Sequence, residues 1–195
     1  MSLRVTPVVL RGKEVRLEPL GLIHAQGLYN RGRVEADWTH LPRSCFVDLA
    51  DTRHWIEEAL GVEGQLPFAI LETAKGKVIG STRYLNIRPE HRSLEIGWTW
   101  LGQNWQRTAI NTETKLLLLS HAFEKLGCVR VEFKTDTRNE RSQRALQRIG
   151  ATKEGVLRNH MIVQDDFVRD SVYFSVISSE WLEIKERLER LANGS

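Results

Sequence analysis

The chain has 195 residues, of which 41% are hydrophobic and 27% charged, and its formal net charge is +3. This balance is typical of a globular protein and excludes an intrinsically disordered one. Acidic and basic residues are interleaved, no apolar run approaches the roughly 20 residues that span a bilayer, and no signal-peptide core is visible. We therefore expect a cytoplasmic protein that contacts neither nucleic acid nor a membrane.

The first half of the chain mixes short helices with strands. Alternating apolar and polar residues predict a strand at residues 15–20, and a short helix is expected at 24–31. Residues 38–47 look irregular, and a second helix is predicted at 51–60, ended by Gly61. This order already favours a mixed α and β architecture.

Three strands follow in the middle of the chain. Residues 66–71 and 78–87 flank the turn signal Lys75-Gly76-Lys77, which predicts a hairpin. A further strand is expected at residues 94–101. A run of antiparallel strands therefore leads into the most patterned part of the sequence.

The next long helix is predicted from the helical spacing of four apolar residues, with Leu117 widening the stripe. These four residues are Leu116, Leu119, Phe123 and Leu126. The helix is expected to begin near Asn111 or Thr112 and to end at Gly127.

A strand at residues 129–135 and a helix at 139–149, stopped by Gly150, follow. The succession of strand, helix and strand predicts a parallel strand pair joined by a right-handed crossover. Residues 152–163 and 167–176 then predict a second hairpin. A C-terminal helix is expected at about 179–192, capped by Ser178 or Ser179.

The loop at residues 105–111 has the features of an anion site. It precedes a helix, and the free N–H groups at a helix N-terminus attract negative charge. Arg107 adds a guanidinium suited to phosphate, and the small Ala109 allows a ligand to approach the backbone. An ordinary capped turn between strand and helix is the alternative interpretation.

A second element lies at the start of the following helix, where Asn139 and Ser142 are separated by one turn. Asn139 is suited to cap the helix, and Ser142 would then be an exposed polar residue. Alone, this pair indicates little about function.

Together the two elements resemble the GNAT acetyltransferase superfamily. The family loop Gln/Arg-x-x-Gly-x-Gly/Ala aligns with residues 106–111, and the family Asn-x-x-Ser/Ala helix aligns with residues 139–142. The resemblance spans roughly residues 12 to 185 and is closest to the RimJ/RimL-like branch, which includes ribosomal-protein N-terminal acetyltransferases. The segments that carry the branch resemblance are 38–42, 95–98, 111–113 and 170–177.

The resemblance implies an α+β GNAT fold in one domain over residues 1–195. Its central mixed sheet would have about seven strands, a splayed strand pair, and helices on both faces. Acetyl-CoA would be the co-substrate, and its acetyl group would move to a primary amine. The spacing of the histidines and of Cys45 and Cys128 predicts no metal and no disulfide.

The acceptor amine remains open between several alternatives. The first alternative is the N-terminal amine of a protein or peptide of the ribosomal-protein type. A small amine, such as an antibiotic or a polyamine, is the second alternative, and a non-catalytic acyl-CoA-binding regulatory module is the third. A homodimer is compatible with the sequence.

The resemblance also assigns site residues. Those expected to bind the cofactor are Trp98, Thr99, Trp100, Leu101, Gln106, Arg107, Thr108, Ala109, Ile110, Asn111, Thr112, Asn139 and Ser142. Glu95 is the first candidate for the base, Glu132 the second, and Ser142 the local donor to the thiolate.

The chain departs from the family pattern at several of these positions. Ala109 and Asn111 stand at glycine positions of the loop, and Arg107 stands where many members have glycine. Leu146 falls where many members have the tyrosine that protonates the leaving thiolate, and Gly150 is followed by alanine instead of phenylalanine. The sequence therefore predicts a cofactor site more firmly than a proton donor.

Overall fold

A computed structural model describes residues 3–194, whose strands form one mixed sheet in the order β1-β2-β3-β4-β5-β6-β8-β7. The strands are β1 (Leu10–Arg11), β2 (Val15–Pro19), β3 (Leu66–Glu72), β4 (Lys77–Arg88), β5 (Ser93–Leu101), β6 (Arg130–Asp136), β7 (Thr152–Ile162) and β8 (Val168–Ile177). The helices are α1 (Ala25–Arg31), α2 (Leu49–Gly61), α3 (Ala109–Ser120), α4 (Glu140–Ile149) and α5 (Trp181–Ala192). The predicted α+β GNAT architecture is confirmed, with one strand more than expected, because β1 is too short to show alternation.

The parallel pair, β5 and β6, is splayed. All other neighbouring strands are antiparallel, whereas β5 and β6 run parallel and are joined through α3. Their pairing covers only Ser93 to Glu95 against Arg130 to Glu132, and beyond these residues the two strands diverge. The predicted splayed pair is thus confirmed, and it opens a gap in the middle of the sheet.

Helices cover both faces of the sheet, as predicted. On one face α3 and α5 bury Leu118, Leu119 and Leu188 against the strands. On the other face α1 and α2 bury Leu28 and Ile56 together with an aromatic group. That group comprises Trp38, Phe46, Trp55 and Trp100. Each such fully buried side chain contributes on the order of 1.5–3 kcal/mol relative to an exposed one, so the two layers fix the sheet between them.

Helix α3 differs from its prediction in its start, its end and its buried face. It ends at Ser120 instead of Gly127, and a wider helical turn, His121–Lys125, follows it. It begins at Ala109, because the Thr108 hydroxyl caps it by accepting from the Ile110 N–H at 3.3 Å. The most buried apolar residues of α3 are Leu118 and Leu119, followed by Ala122 in the next helical turn, whereas Leu116 is only partly buried. The reason is that α3 packs against both the sheet and α5. The buried face of the helix therefore differs from the apolar stripe that the sequence predicted.

The predicted cap of α5 is wrong. The helix begins at Trp181 and Glu180 occupies the cap position, so neither Ser178 nor Ser179 caps it. The Glu180 carboxylate accepts from the Ile177 N–H at 3.1 Å, and the two serines lie in the preceding turn. Helix α5 therefore begins later in the chain than the two serines predicted.

Glu113 has a structural role that its motif did not reveal. Its buried carboxylate accepts hydrogen bonds from the N–H groups of Lys13, Glu14 and Val15 at 2.6, 2.8 and 2.9 Å. Three such donors compensate for the cost of burying a charge. Glu113 thus fastens the turn between β1 and β2 to α3.

Candidate active site

A cavity of about 360 Å³ opens where β5 and β6 diverge and is bordered by the starts of α3 and α4. Most of the residues predicted for the site line it: Glu95, Trp98, Thr99, Trp100, Leu101, Gln106, Arg107, Thr108, Asn111, Asn139 and Ser142. The structure therefore brings the two motifs of the sequence, the loop and the α4 start, to one place.

Four predicted residues do not line this cavity. Ile110 faces the hydrophobic core, and Ala109 is the first residue of α3. Thr112 is buried, and its hydroxyl accepts from Arg148 Nη2 at 2.8 Å. Glu132 lies outside the cavity on β6. For these residues the sequence predicted the right segment, but side-chain direction removes them from the cavity wall.

The end of the cavity at the N-terminus of α3 is strongly cationic, and we call it the phosphate end. Arg107, Arg141 and Arg148 line it around the free N–H groups of the helix start. Guanidinium groups and helix N-termini both bind phosphate well, so this end suits a ligand that carries phosphate groups. The two α4 arginines were not predicted, since nothing local distinguishes them from surface arginines.

Gln106 connects three parts of the phosphate end. Its amide Nε2 donates to the Leu101 carbonyl at 2.9 Å and to Asp37 Oδ1 at 2.7 Å. Its Oε1 accepts from Arg141 Nη1 at 2.8 Å. The side chain therefore holds the loop in place against β5 and α4.

A β-bulge shapes the β5 side of the cavity. Arg83 pairs with Gly97 and Ser81 with Trp100, so β5 has one residue more than β4 between these pairs. Trp98 within the bulge has a left-handed backbone with φ 50°. Bulges of this kind bend a strand and redirect its backbone groups. Here the bulge lies just beyond Glu95, where the pairing of β5 with β6 ends.

Asn139 caps α4, as the sequence predicted. Its Oδ1 accepts from the Ser142 N–H at 3.0 Å, so the amide NH₂ is the group available to a ligand. Ser142 and Leu146 lie on the same cavity wall. Leu146, at the position of the family tyrosine, provides no proton.

Glu95 is buried within the cavity wall. Its Oε2 accepts from Asn86 Nδ2 at 2.7 Å and lies 3.4 Å from Lys134 Nζ. Burial raises the pKa of this carboxyl above its usual value, although Lys134 and Asn86 oppose the shift. A carboxylate that is only weakly compensated is a better proton acceptor, which suits a general base.

Glu132 is the in-register neighbour of Glu95 on β6, but its surroundings differ. Arg88 Nη2 and Arg130 Nε lie 2.6 and 2.8 Å from its two oxygens. Each carboxylate oxygen of Glu132 is thus held by an arginine. Of these two carboxylates, Glu95 lines the cavity and Glu132 does not.

The opposite end of the cavity is walled by the segment around residue 40 and by the β7–β8 hairpin, and we call it the acceptor end. His40, Met161 and the buried Arg169 line it. At the hairpin turn, Gln164 Nε2 lies within hydrogen-bond distance of three carbonyls, those of Trp38, Leu41 and Arg43. This clasp links two distant segments, which explains why the sequence alone did not bring His40 and Arg169 to the site.

The fold and the cavity together define a GNAT acetyltransferase. The family of GNAT acetyltransferase domains matches residues 14–152, and the chain belongs to it. It is accordingly an acetyl-CoA-dependent N-acetyltransferase. Among residues 3–194, no helix is both long and apolar enough to cross a bilayer.

Several known proteins are similar to this chain in sequence or structure. A GCN5-related N-acetyltransferase from Brucella melitensis is 32% identical, with 95% of this chain and 85% of that chain covered and a TM-score of 0.91. A structure described as a "putative acetyltransferase from T. thermophilus" is 40% identical, covers 95% and 97% of the two chains, and has a TM-score of 0.88. The "Putative ribosomal N-acetyltransferase YdaF" of Bacillus subtilis is 29% identical over 133 residues, 68% of each chain.

Proposed function

We propose that the acceptor of the acetyl group is the N-terminal amine of a protein or peptide, of the ribosomal-protein type. The observation that carries this proposal is the charge at the acceptor end, where Glu95 is accompanied by the cations Lys134 and Arg169. A polyamine bears several positive charges and would be repelled there, whereas a single amine meets one carboxylate. The name of the Bacillus subtilis relative supports the same acceptor class.

In this proposal the two ends of the cavity have different roles in the reaction. The arginines of the phosphate end bind the phosphates of acetyl-CoA, and Asn139 orients its pantetheine arm. Backbone N–H groups of Trp98 to Leu101 stabilise the negative charge that develops on the thioester oxygen. Glu95 accepts the proton that the attacking amine must lose.

A small monoamine is the second candidate acceptor. The Gln164 clasp favours it, because the clasp draws the segment around residue 40 against the hairpin and narrows the acceptor end. Cationic walls are compatible with a monoamine that also carries an anionic group. The two candidates differ in the acceptor and share the chemistry.

The test is an acceptor screen with acetyl-CoA and detection by mass spectrometry. The panel contains peptides with ribosomal-protein N-termini, the same peptides with a blocked N-terminus, small monoamines and spermidine. We expect one acetyl group on the Nα of free peptides and none on the blocked ones. Acetylation of spermidine alone, or of lysine side chains in the blocked peptides, would contradict the proposal, and acetylation of monoamines alone would select the second candidate.

A further inference from the structure

Lys115 is a buried lysine in the wall of the cavity. It lies on α3, is 6% exposed, and its Nζ donates to Thr99 Oγ1 at 3.0 Å. The same ammonium lies 5.5 Å from the centre of the Phe133 ring. Thr99 belongs to β5 and Phe133 to β6, so the charge sits in the gap between the splayed strands.

The surroundings of Lys115 do little to compensate its charge. Within residues 3–194 its hydrogen-bond partner is a neutral hydroxyl, and no carboxylate is paired with it. Burial alone lowers the pKa of this lysine to about 7. An apolar residue would fill this helix position at lower cost, so packing does not account for a lysine here.

At the α4 positions where the resemblance places the proton donor, the cavity wall holds no strong acid for the leaving sulfur. Leu146 replaces the tyrosine, and the Ser142 hydroxyl is a very weak acid. Lys115 lines the same cavity as both residues. We propose that the Lys115 ammonium donates a proton to the sulfur of CoA as the thioester bond breaks.

The proton balance of this step closes. The acceptor nitrogen bonds to the acetyl carbon and loses its extra proton to Glu95. The carbon–sulfur bond breaks, its electron pair stays on sulfur, and the sulfur takes the Lys115 proton. Solvent protonates Lys115 again after CoA leaves, and Glu95 releases its proton to solvent.

The direction of the transfer is favourable. An alkyl thiol has a pKa of about 8.5, so it holds a proton more tightly than Lys115 does. Burial lowers the pKa of Lys115 to about 7, so the ammonium that the step requires is available at neutral pH. The proposal concerns acetyl transfer from CoA and is independent of which amine accepts.

The test follows the thiol of CoA bound to the protein, without any acceptor. The ultraviolet absorbance of the thiolate is recorded as a function of pH for free CoA and for CoA in complexes with the wild type, Lys115→Met and Lys125→Met. Lys125 is exposed after α3 and supplies the matched control. The thiolate and the Lys115 ammonium should titrate as a coupled pair, because a thiolate close to Lys115 raises the pKa of the lysine and keeps it charged while the thiol loses its proton. The thiol pKa of CoA bound to the wild type should therefore be lower than that of free CoA by about one unit or more. Lys115→Met should abolish the shift, and Lys125→Met should retain it.

Other titratable and charged groups line the cavity and are unchanged in both variants. They are the arginines of the phosphate end together with Asp37, His40, Glu95, Lys134 and Arg169. Desulfo-CoA provides a second readout, since the wild type and Lys115→Met should bind it equally while only the wild type prefers the thiolate of CoA.

The proposal is overturned if the thiol of CoA titrates equally when free and when bound to the wild type. It is also overturned if Lys115→Met leaves the shift intact. If Lys115→Met does not fold, the titration of CoA bound to the wild type still tests whether the thiol pKa is shifted. Lys115→Gln then provides a second variant. Failure of the peptide screen would leave this result unaffected, because CoA is the only ligand used.

Discussion

At the scale of single residues, the two neighbouring carboxylates of β5 and β6 show how surroundings separate similar side chains. Glu95 and Glu132 are paired in register, yet Glu95 is buried beside one lysine whereas Glu132 contacts two arginines. The same residue type in adjacent strands thus has a pKa raised by burial in one case and an ion pair with two arginines in the other.

We predict that Glu95→Gln lowers turnover about 100-fold while acetyl-CoA affinity is retained, since general bases contribute about 10²–10⁴-fold. Because burial raises the pKa of Glu95, turnover of the wild type should rise with pH through a midpoint above the usual 4.5. This limb should be absent from the variant. Steady-state kinetics across pH and calorimetric titration of acetyl-CoA measure both effects.

Glu132→Gln is the matched control, because it removes a carboxylate from the adjacent register position. It should lose the ion pairs with Arg88 and Arg130 but keep turnover near that of the wild type. Loss of turnover in Glu132→Gln, with wild-type activity in Glu95→Gln, would assign the base to Glu132 instead.

At the scale of elements, the loop before α3 combines a strained, left-handed backbone with a positively charged side chain. Arg107 has φ 60°, in the left-handed region that glycine adopts without cost. Many family members have glycine at this position, and here an arginine occupies the same backbone conformation. The chain thus accepts local strain and places a guanidinium at the phosphate end.

Two substitutions separate strain from charge. Arg107→Gly and Arg107→Ala should weaken acetyl-CoA binding to a similar degree, because both remove the cation. Arg107→Gly should be more stable than Arg107→Ala by about 1 kcal/mol, because only glycine avoids the left-handed penalty. Thermal melts without ligand and calorimetric binding test this, and equal stability of the two variants would contradict the left-handed backbone.

At the scale of the whole molecule, we infer one domain, because every strand of residues 3–194 belongs to one sheet. Burying the charge of Lys115 should therefore lower the free energy of unfolding of the whole domain. The unfolded chain holds the Lys115 proton up to about pH 10.5, whereas the folded chain holds it only to about pH 7. Between these values the unfolded state binds more protons, so the free energy of unfolding should increase with pH.

Lys115→Met should therefore remove a pH dependence from the stability of the protein. We predict that the variant is more stable than the wild type below about pH 7 by a few kcal/mol, since one pKa unit corresponds to about 1.4 kcal/mol. The difference should shrink as pH rises toward 10.5. Urea unfolding at several pH values measures it, and a constant difference would mean that Lys115 does not lose its proton on folding.

The sequence by itself determined the features that depend on neighbouring residues. The hairpins, the Asn139 cap, the Gly150 stop and the loop at residues 106–111 follow from backbone preferences and hydrogen bonds within a few positions. Because the loop and the Asn139 cap are also the family motifs, the reaction class could be predicted before any contact was known.

Only the tertiary structure decided which side chains share the cavity. The bulge at Trp98 and the end of pairing at Glu95 set the direction of the β5 side chains, and neither is visible in simple alternation. Lys115 and Arg169 join the site from remote segments of the chain, because helix packing positions Lys115 and the pairing of β8 with β6 and β7 positions Arg169. The motifs thus identify the co-substrate, whereas long-range packing selects the charges that surround it.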